Sequence, residues 1–242
     1  MKLHYKTGVT ETGELRITKS TGAILIGCSK PLSDLTNERI TIHIEKEGGN
    51  SELHTNVLLR HFIAESLYGD GNLKQTTVGV DVSFIALCEL GRNGSIPLGV
   101  NESIKVAIST LEAAETYKVF SLEYPQIAES IFYSEKNTIL NDETSRSFNV
   151  SNSRMMTIEG WQFTRDTTFT FINGHRVKYT REELEMITFD LESSLGVDIT
   201  NGQNVNAIGD ALVLSLEGVV QIDFEKIKGF QEVTFANEMP IQ

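Results

Sequence analysis

The sequence predicts a mainly β protein: two consecutive copies of one β-rich unit, each interrupted by a single α-helix. Three observations carry this. Short apolar–polar alternations fill most of the 242 residues. Only two segments show helical spacing. The strand–turn–helix outline around the first helix returns 125 residues later around the second.

The alternations come first. "GELRITKS" places Leu15 and Ile17 on one face, and "ERITIHIEK" sets Ile40, Ile42 and Ile44 against Thr41 and His43. "TVGVDVSFIAL" alternates Val78, Val80, Val82 and Phe84. "ESIKVAIS" alternates Ile104, Val106 and Ile108, and "YKVFSLEY" follows. In the second half come "RMMTIEGWQF", "TTFTFI", "ALVLSLEG", "VVQIDFEK" and "QEVTF". Leu212, Leu214 and Leu216 share a face, as do Val220, Ile222 and Phe224. A period of two with one apolar face is the signature of a half-buried strand. Gly, Asn, Asp and Ser punctuate the joins, "GRNG" at 91–94 among them, and many short strands with regular turns point to a sandwich or barrel.

Two helices interrupt the pattern. The first is expected after a cap at Thr55, with Leu59, Phe62, Ile63 and Leu67 as its apolar stripe. The second follows Thr180, with Leu184, Ile187 and Leu191 as its stripe. Thr180 and Glu183 have the spacing of a capping box, in which hydroxyl and carboxylate each serve the other residue's backbone amide. Thr55 has the cap residue alone, because position 58 is Leu.

Thr55 and Thr180, Leu59 and Leu184, Phe62 and Ile187, and Ile44 and Phe169 are all 125 residues apart. A period this long implies duplicated domains rather than a solenoid. The boundary falls near "LEYPQIAES", where Pro125 disfavours helix at Tyr124 and has no N–H for a ladder, giving domains of 1–125 and 126–242.

Composition narrows the function. The chain is 40% apolar and 22% charged with only 4 Pro, as in ordinary globular proteins. A net charge of -12 works against a phosphate-tracking surface, so direct nucleic-acid binding is not expected. Cys28 and Cys88 lie in apolar runs and read as small buried hydrophobes rather than a disulfide framework. The start, "MKLHYKTGVTETGELR", is too polar for a signal peptide, and no apolar run approaches the ~20 residues that span a bilayer.

Catalytic and metal motifs are absent. His4, His43, His54, His61 and His175 form neither HxH nor HExxH, and read as surface or core-edge residues. Asp70 and Asn72 in "YGDGNLK" lack the remaining oxygen ligands of a calcium loop and read as a turn. There is no phosphate-binding glycine loop and no nucleophile elbow. His175, Arg176 and Arg181 surround the turn before the second helix, but the first copy has no counterpart for them. Trp161, placed on a strand face with Phe163, completes a core more readily than it stacks a ligand. No catalytic residue, metal site or cofactor is expected, and no binding residue can be named.

The pair of segments "RITIHIEKEGGNSELHTNVLLRHFIAES" and "TTFTFINGHRVKYTREELEMITFDLE", each followed by alternating strands, resembles the double jelly-roll major capsid proteins of tailless icosahedral bacteriophages with an internal membrane, of the corticovirus type. The resemblance covers nearly the whole chain and has no diagnostic short motif, so no residue role is carried over. It implies two consecutive jelly-roll β-barrels, each with one inserted α-helix. It also implies a structural protein of the virion, made in the host cytoplasm and assembling as homotrimers of pseudo-hexagonal outline. Their partners would be neighbouring capsomers, vertex proteins and an internal membrane. Lys2 and Lys6, in a polar terminus expected to fray, are the residues to approach lipid headgroups.

Two other classes compete. A glycan-binding β-sandwich, as in a phage spike or receptor-binding protein, would need a platform from Trp161, Tyr133 and Tyr179. A metal-dependent enzyme on the same scaffold would need ligands that the sequence does not group.

Overall fold

Most of the alternating segments are strands. The computed structural model describes residues 1–68, 72–75, 81–191, 198–200, 203–205 and 211–241. The chain divides into two units, Met1–Ser134 with Glu238–Gln242, and Glu135–Asn237.

The first unit contains β1 (Lys2–Thr7), β2 (Leu15–Ile17), β3 (Ala23–Cys28), β4 (Arg39–Lys46) and β5 (Gly49–Leu58). After these come α1 (Leu59–Tyr68), β6 (Asn72–Gln75), β7 (Phe84–Glu89), β8 (Ser103–Ser109) and β9 (Thr116–Leu122). One sheet runs β1-β9-β3-β7-β6 and the other β2-β8-β4-β5. Neighbours in both are antiparallel. With the short β6 set aside, the strands lie first-eighth-third-sixth in one sheet and second-seventh-fourth-fifth in the other. That swirl of Greek keys is the jelly-roll order.

β10 (Ser130–Ile139) begins in the first unit and continues into the second. β11 (Ser145–Asn149), β12 (Ser153–Glu159), β13 (Thr164–Phe171) and β14 (Arg176–Thr180) lead to α2 (Arg181–Leu191). Then come β15 (Asp198–Thr200), β16 (Gln203–Val205), β17 (Leu212–Ser215), β18 (Val219–Lys226) and β19 (Gln231–Pro240). β15 and β16 form a small hairpin sheet. The others run β10-β19-β12-β17 and β11-β18-β13-β14, so the same order appears a second time. Each helix enters at the same step, after the fifth strand and before the sixth.

The 125-residue spacing is met to the residue by β4, Arg39–Lys46, and β13, Thr164–Phe171. The helices are offset differently, since α1 begins at Leu59 and α2 at Arg181. This corrects the expected cap at Thr55. Thr55 lies within β5, where its hydroxyl donates to Glu52 at 2.8 Å. The first amide of α1, that of Leu59, donates instead to the Glu38 carbonyl at 2.8 Å, so a neighbouring segment takes the place of a side-chain cap. Thr180 behaves as its spacing predicts. Its amide donates to Glu183 Oε2 at 2.8 Å, and the Glu183 amide donates to Thr180 Oγ1 at 3.3 Å.

The alternating apolar faces form the cores. In the first unit Ile40, Ile42, Ile44, Ile104, Val106 and Ile108 are all buried, and so are Leu59, Phe62 and Ile63 of α1. In the second, Met156, Ile158, Phe169, Leu212, Leu214, Leu216, Ile222 and Phe224 pack with Leu184 of α2, and Ile187 is partly buried against them. One parity was misread: Val219 is buried and Val220 only half so. "RMMTIEGWQF" is strand only as far as Glu159, because Gly160 turns left-handed at φ 73° and Trp161–Phe163 form a 3-10 turn. Val82 and Phe84 are buried as expected, whereas Val78 and Val80 lie outside the described residues, as do the side chains of Leu67 and Leu191. The terminus is not frayed: Lys2 and Lys6 belong to β1, which pairs with β9 along its length.

Candidate functional site

Strand parity decides where each candidate side chain goes. His43 alternates outward on β4 and is half-exposed. His175 is exposed in the β13–β14 turn with Arg176. His4, His54 and His61 are buried, at 5%, 2% and 0% exposure, deeper than a core-edge reading allows. The cause at His54 is local. Asn56 takes a left-handed φ of 52° and the β4–β5 register slips on either side of Ile42, so Leu53 and His54 are both buried in succession. No group of three or more His, Cys, Asp or Glu among the described residues is placed to hold a metal ion. Asp70 is outside the described residues, as is the side chain of Asn72.

The aromatic candidates do not stand free. Trp161 packs partly buried against the second unit's core, with the Arg181 guanidinium 5.9 Å from its ring centre. Tyr179 packs on the same core and meets Phe169 edge-on at 5.7 Å. Tyr133 is half-buried on β10, in the first unit.

What the interiors contain instead is polar groups tied to one another or to backbone. In the first unit Lys30 donates to Glu38 at 3.1 Å and to Glu112, and Tyr117 donates to the same Glu38 oxygen at 2.9 Å. Burial alone would lower Lys30, but its bonds to Glu112 and Glu38 outweigh that and hold it above its ordinary pKa. Burial pushes Tyr117 up. Glu38 thereby joins β9, the segment after β3 and the start of α1 in one knot. In the second unit Lys226, 4% exposed, is enclosed at the end of β18.

A hollow of about 460 Å³ lies in the first unit between Ser20, Ser95 and Pro97 on one side and the 123–127 segment on the other. Tyr124 donates from its hydroxyl to Glu89 at 3.1 Å, and Ser95 exchanges hydrogen bonds with the Tyr124 backbone. These polar groups satisfy one another and offer no nucleophile–base pair.

The outward faces carry charge. On β13, β14 and β18, Arg165 and Lys178 pair with Asp166 and Glu225, and Arg176 with Asp223. On β2, β4 and β8, Arg16 and Lys105 share Glu45. The two networks occupy the same sheet of each barrel, with different residues.

No family profile matches the chain, and no curated protein matches it in sequence. Solved structures do match. The major capsid protein P2 from Bacteriophage PM2 superposes on 100% of this chain and 95% of its own, with a TM-score of 0.58 at 9% identity. A chain from the atomic structure of Sulfolobus Turreted Icosahedral Virus covers 98% of this chain and 88% of its own, with a TM-score of 0.54 at 8% identity. The fold is the double jelly roll. At such identities it is the fold that is shared, not side chains.

The double jelly roll accounts for what sequence reasoning found and for what it lacked. Its repeat lies in packing positions, and its polar surface differs between the copies. Reasoning from the sequence missed the buried polar residues. For Lys226 a signal existed: Ile222, Phe224 and Lys226 continue one period-two face, which makes an inward lysine. For His54 no such signal existed, because the register slip hides its parity.

Proposed function

We propose that this chain is the major capsid protein of a tailless icosahedral bacteriophage with an internal membrane. The observation that carries the reading is the complete jelly-roll order occurring twice in tandem, over a length that PM2 protein P2, a major capsid protein, matches almost end to end. The strand order supports a division into an N-terminal barrel, residues 1–125, and a C-terminal barrel, residues 126–242. Two equivalent barrels in each of three copies supply six similar sides, which suits hexagonal packing from a homotrimer. The Lys30–Glu38–Tyr117 cluster and Lys226 use their side-chain bonds to hold segments together, which supports a structural rather than an enzymatic role. Partners in this reading are further copies of the chain, vertex proteins and the membrane surface, and its place is the virion.

Mass photometry and negative-stain imaging of the purified protein test this. Particles with threefold outline and three times the 26.9 kDa chain mass are expected. A protein that stays strictly monomeric at high concentration overturns the trimeric capsomer.

A further inference from the structure

The seat of β10 on β5 is a single parallel bridge, Ser134 to His54, and it is made by side chains as much as by backbone. His54 Nδ1 lies 2.6 Å from Ser134 Oγ, and that hydroxyl donates to Glu65 Oε2. A serine hydroxyl has one proton, and here it goes to Glu65. The Ser134 oxygen must then accept from His54, so His54 carries its proton on Nδ1. Its Nε2 is left as a bare lone pair, and it has no hydrogen-bond partner among the described residues. The groups facing the ring are Ser134 from β10, Glu65 and the Phe62 ring from α1, the latter edge-on at 4.7 Å, and Ile42 across the β4–β5 pair. Of these Glu65 is the titratable one, and Ser134 separates it from the imidazole.

We infer that His54, Ser134 and Glu65 form an acid-sensitive latch, which seats β10 on β5 only while His54 is neutral. A second proton has one place to go, Nε2, where it would put a charged N–H into the interior facing no acceptor. Burial accordingly pushes His54 down to about 3 from its ordinary 6.5. The sign follows from linkage. Below pH 6.5 the unfolded chain takes up a proton that the folded chain refuses until about 3, so stability present above 6.5 is lost progressively across that window. The inference rests on this geometry and not on the capsid reading.

Imidazole nitrogen NMR on the intact protein gives the direct test. His54 is expected as the Nδ1–H form, with no titration between pH 8 and pH 4.5. A midpoint near 6.5 in the folded protein overturns the latch. Denaturant unfolding of wild type and His54→Asn at pH 6.5 and 4.5 gives the second, since Asn keeps a donor for Ser134 and has no proton to gain. The wild-type unfolding constant should rise about fiftyfold more than the variant's over that interval. Equal rises in both overturn the proposal. Hydrogen exchange at pH 4.5 should show protection lost first around residues 53–55 and 133–135 in wild type, whereas uniform loss across the first unit counts against a local latch. Where His54→Asn does not fold, the wild-type NMR and exchange results still decide.

Discussion

The ammonium of Lys226 lies 3.1 Å from the carbonyl oxygen of Leu140, at the opposite side of a loop-to-loop contact in the second unit. It also donates to the carbonyls of Glu143 at 3.0 Å and Gly229 at 2.5 Å, so all three of its protons are used on backbone. Two loops, 140–144 and 227–230, are thereby tied to one buried cation. The Gly229 amide returns a bond to Asn141 at 3.1 Å. Lys226→Met keeps the apolar stem and removes the donors, leaving three carbonyls to find other partners. It is expected to cost about 3 kcal/mol or more, read as a lowered urea midpoint with unchanged slope.

The two threonines at position 125 apart separate a real cap from an apparent one. Thr180→Ala breaks the capping box and should cost about 1 kcal/mol. Thr55→Ala removes one exposed hydroxyl within β5 and should stay within about 0.5 kcal/mol. Thermal melts of the two variants side by side check this, and equal losses would put a functional cap back at Thr55.

Gly94 in the "GRNG" turn is required by a neighbour rather than by its own dihedrals. A Cβ there would lie 2.6 Å from the Ile127 carbonyl carbon and 2.7 Å from both the Ala128 nitrogen and the Gln126 oxygen. All three are backbone atoms, so no rotamer can relieve the clash. Gly94→Ala should cost about 3 kcal/mol, at the upper end for overpacking. Gly174→Ala, in the exposed β13–β14 turn, meets open space and strains only its φ of 80°, so about 1 kcal/mol is expected. Denaturation curves for the pair compare close approach with backbone strain.

Cys28 and Cys88 are free and buried, and burial pushes both thiols up to about 12. At pH 8 neither should react with a thiol reagent in the native protein, and both should react in denaturant. Rapid native labelling of either would show that β3 or β7 opens far more readily than its packing implies.

How much of this was legible depends on which force set each feature. Ile40, Ile42 and Ile44 announce their strand because burial of one face imposes a period of two, and Thr180 with Glu183 announces its helix because capping is local chemistry. Thr55 misled because the chain continues as strand through Val57 and Leu58, which pair with Ile40 and Arg39 of β4, partners remote in sequence. Trp161 was placed on a strand because nothing in "IEGWQF" weighs the left-handed turn at Gly160 against continued alternation. Among the site candidates, the exposed positions of His43 and His175 follow from strand and turn parity. The burial of His54 does not, because it depends on Asn56 and a register slip that only the β4 partner defines.

In both barrels the first strand lies beside the last, and β1 reaches its partner across most of the first barrel's length, Lys2 opposite Phe120. Loop closure of that span is entropically expensive and slow, so each barrel can close only after its final strand has been made. On a ribosome the first barrel must therefore wait for β9 to emerge before β1 can pair. The order of strands in space thus fixes an order in time: the nascent chain holds β1 without its partner until β9, the last strand of its barrel, has been made.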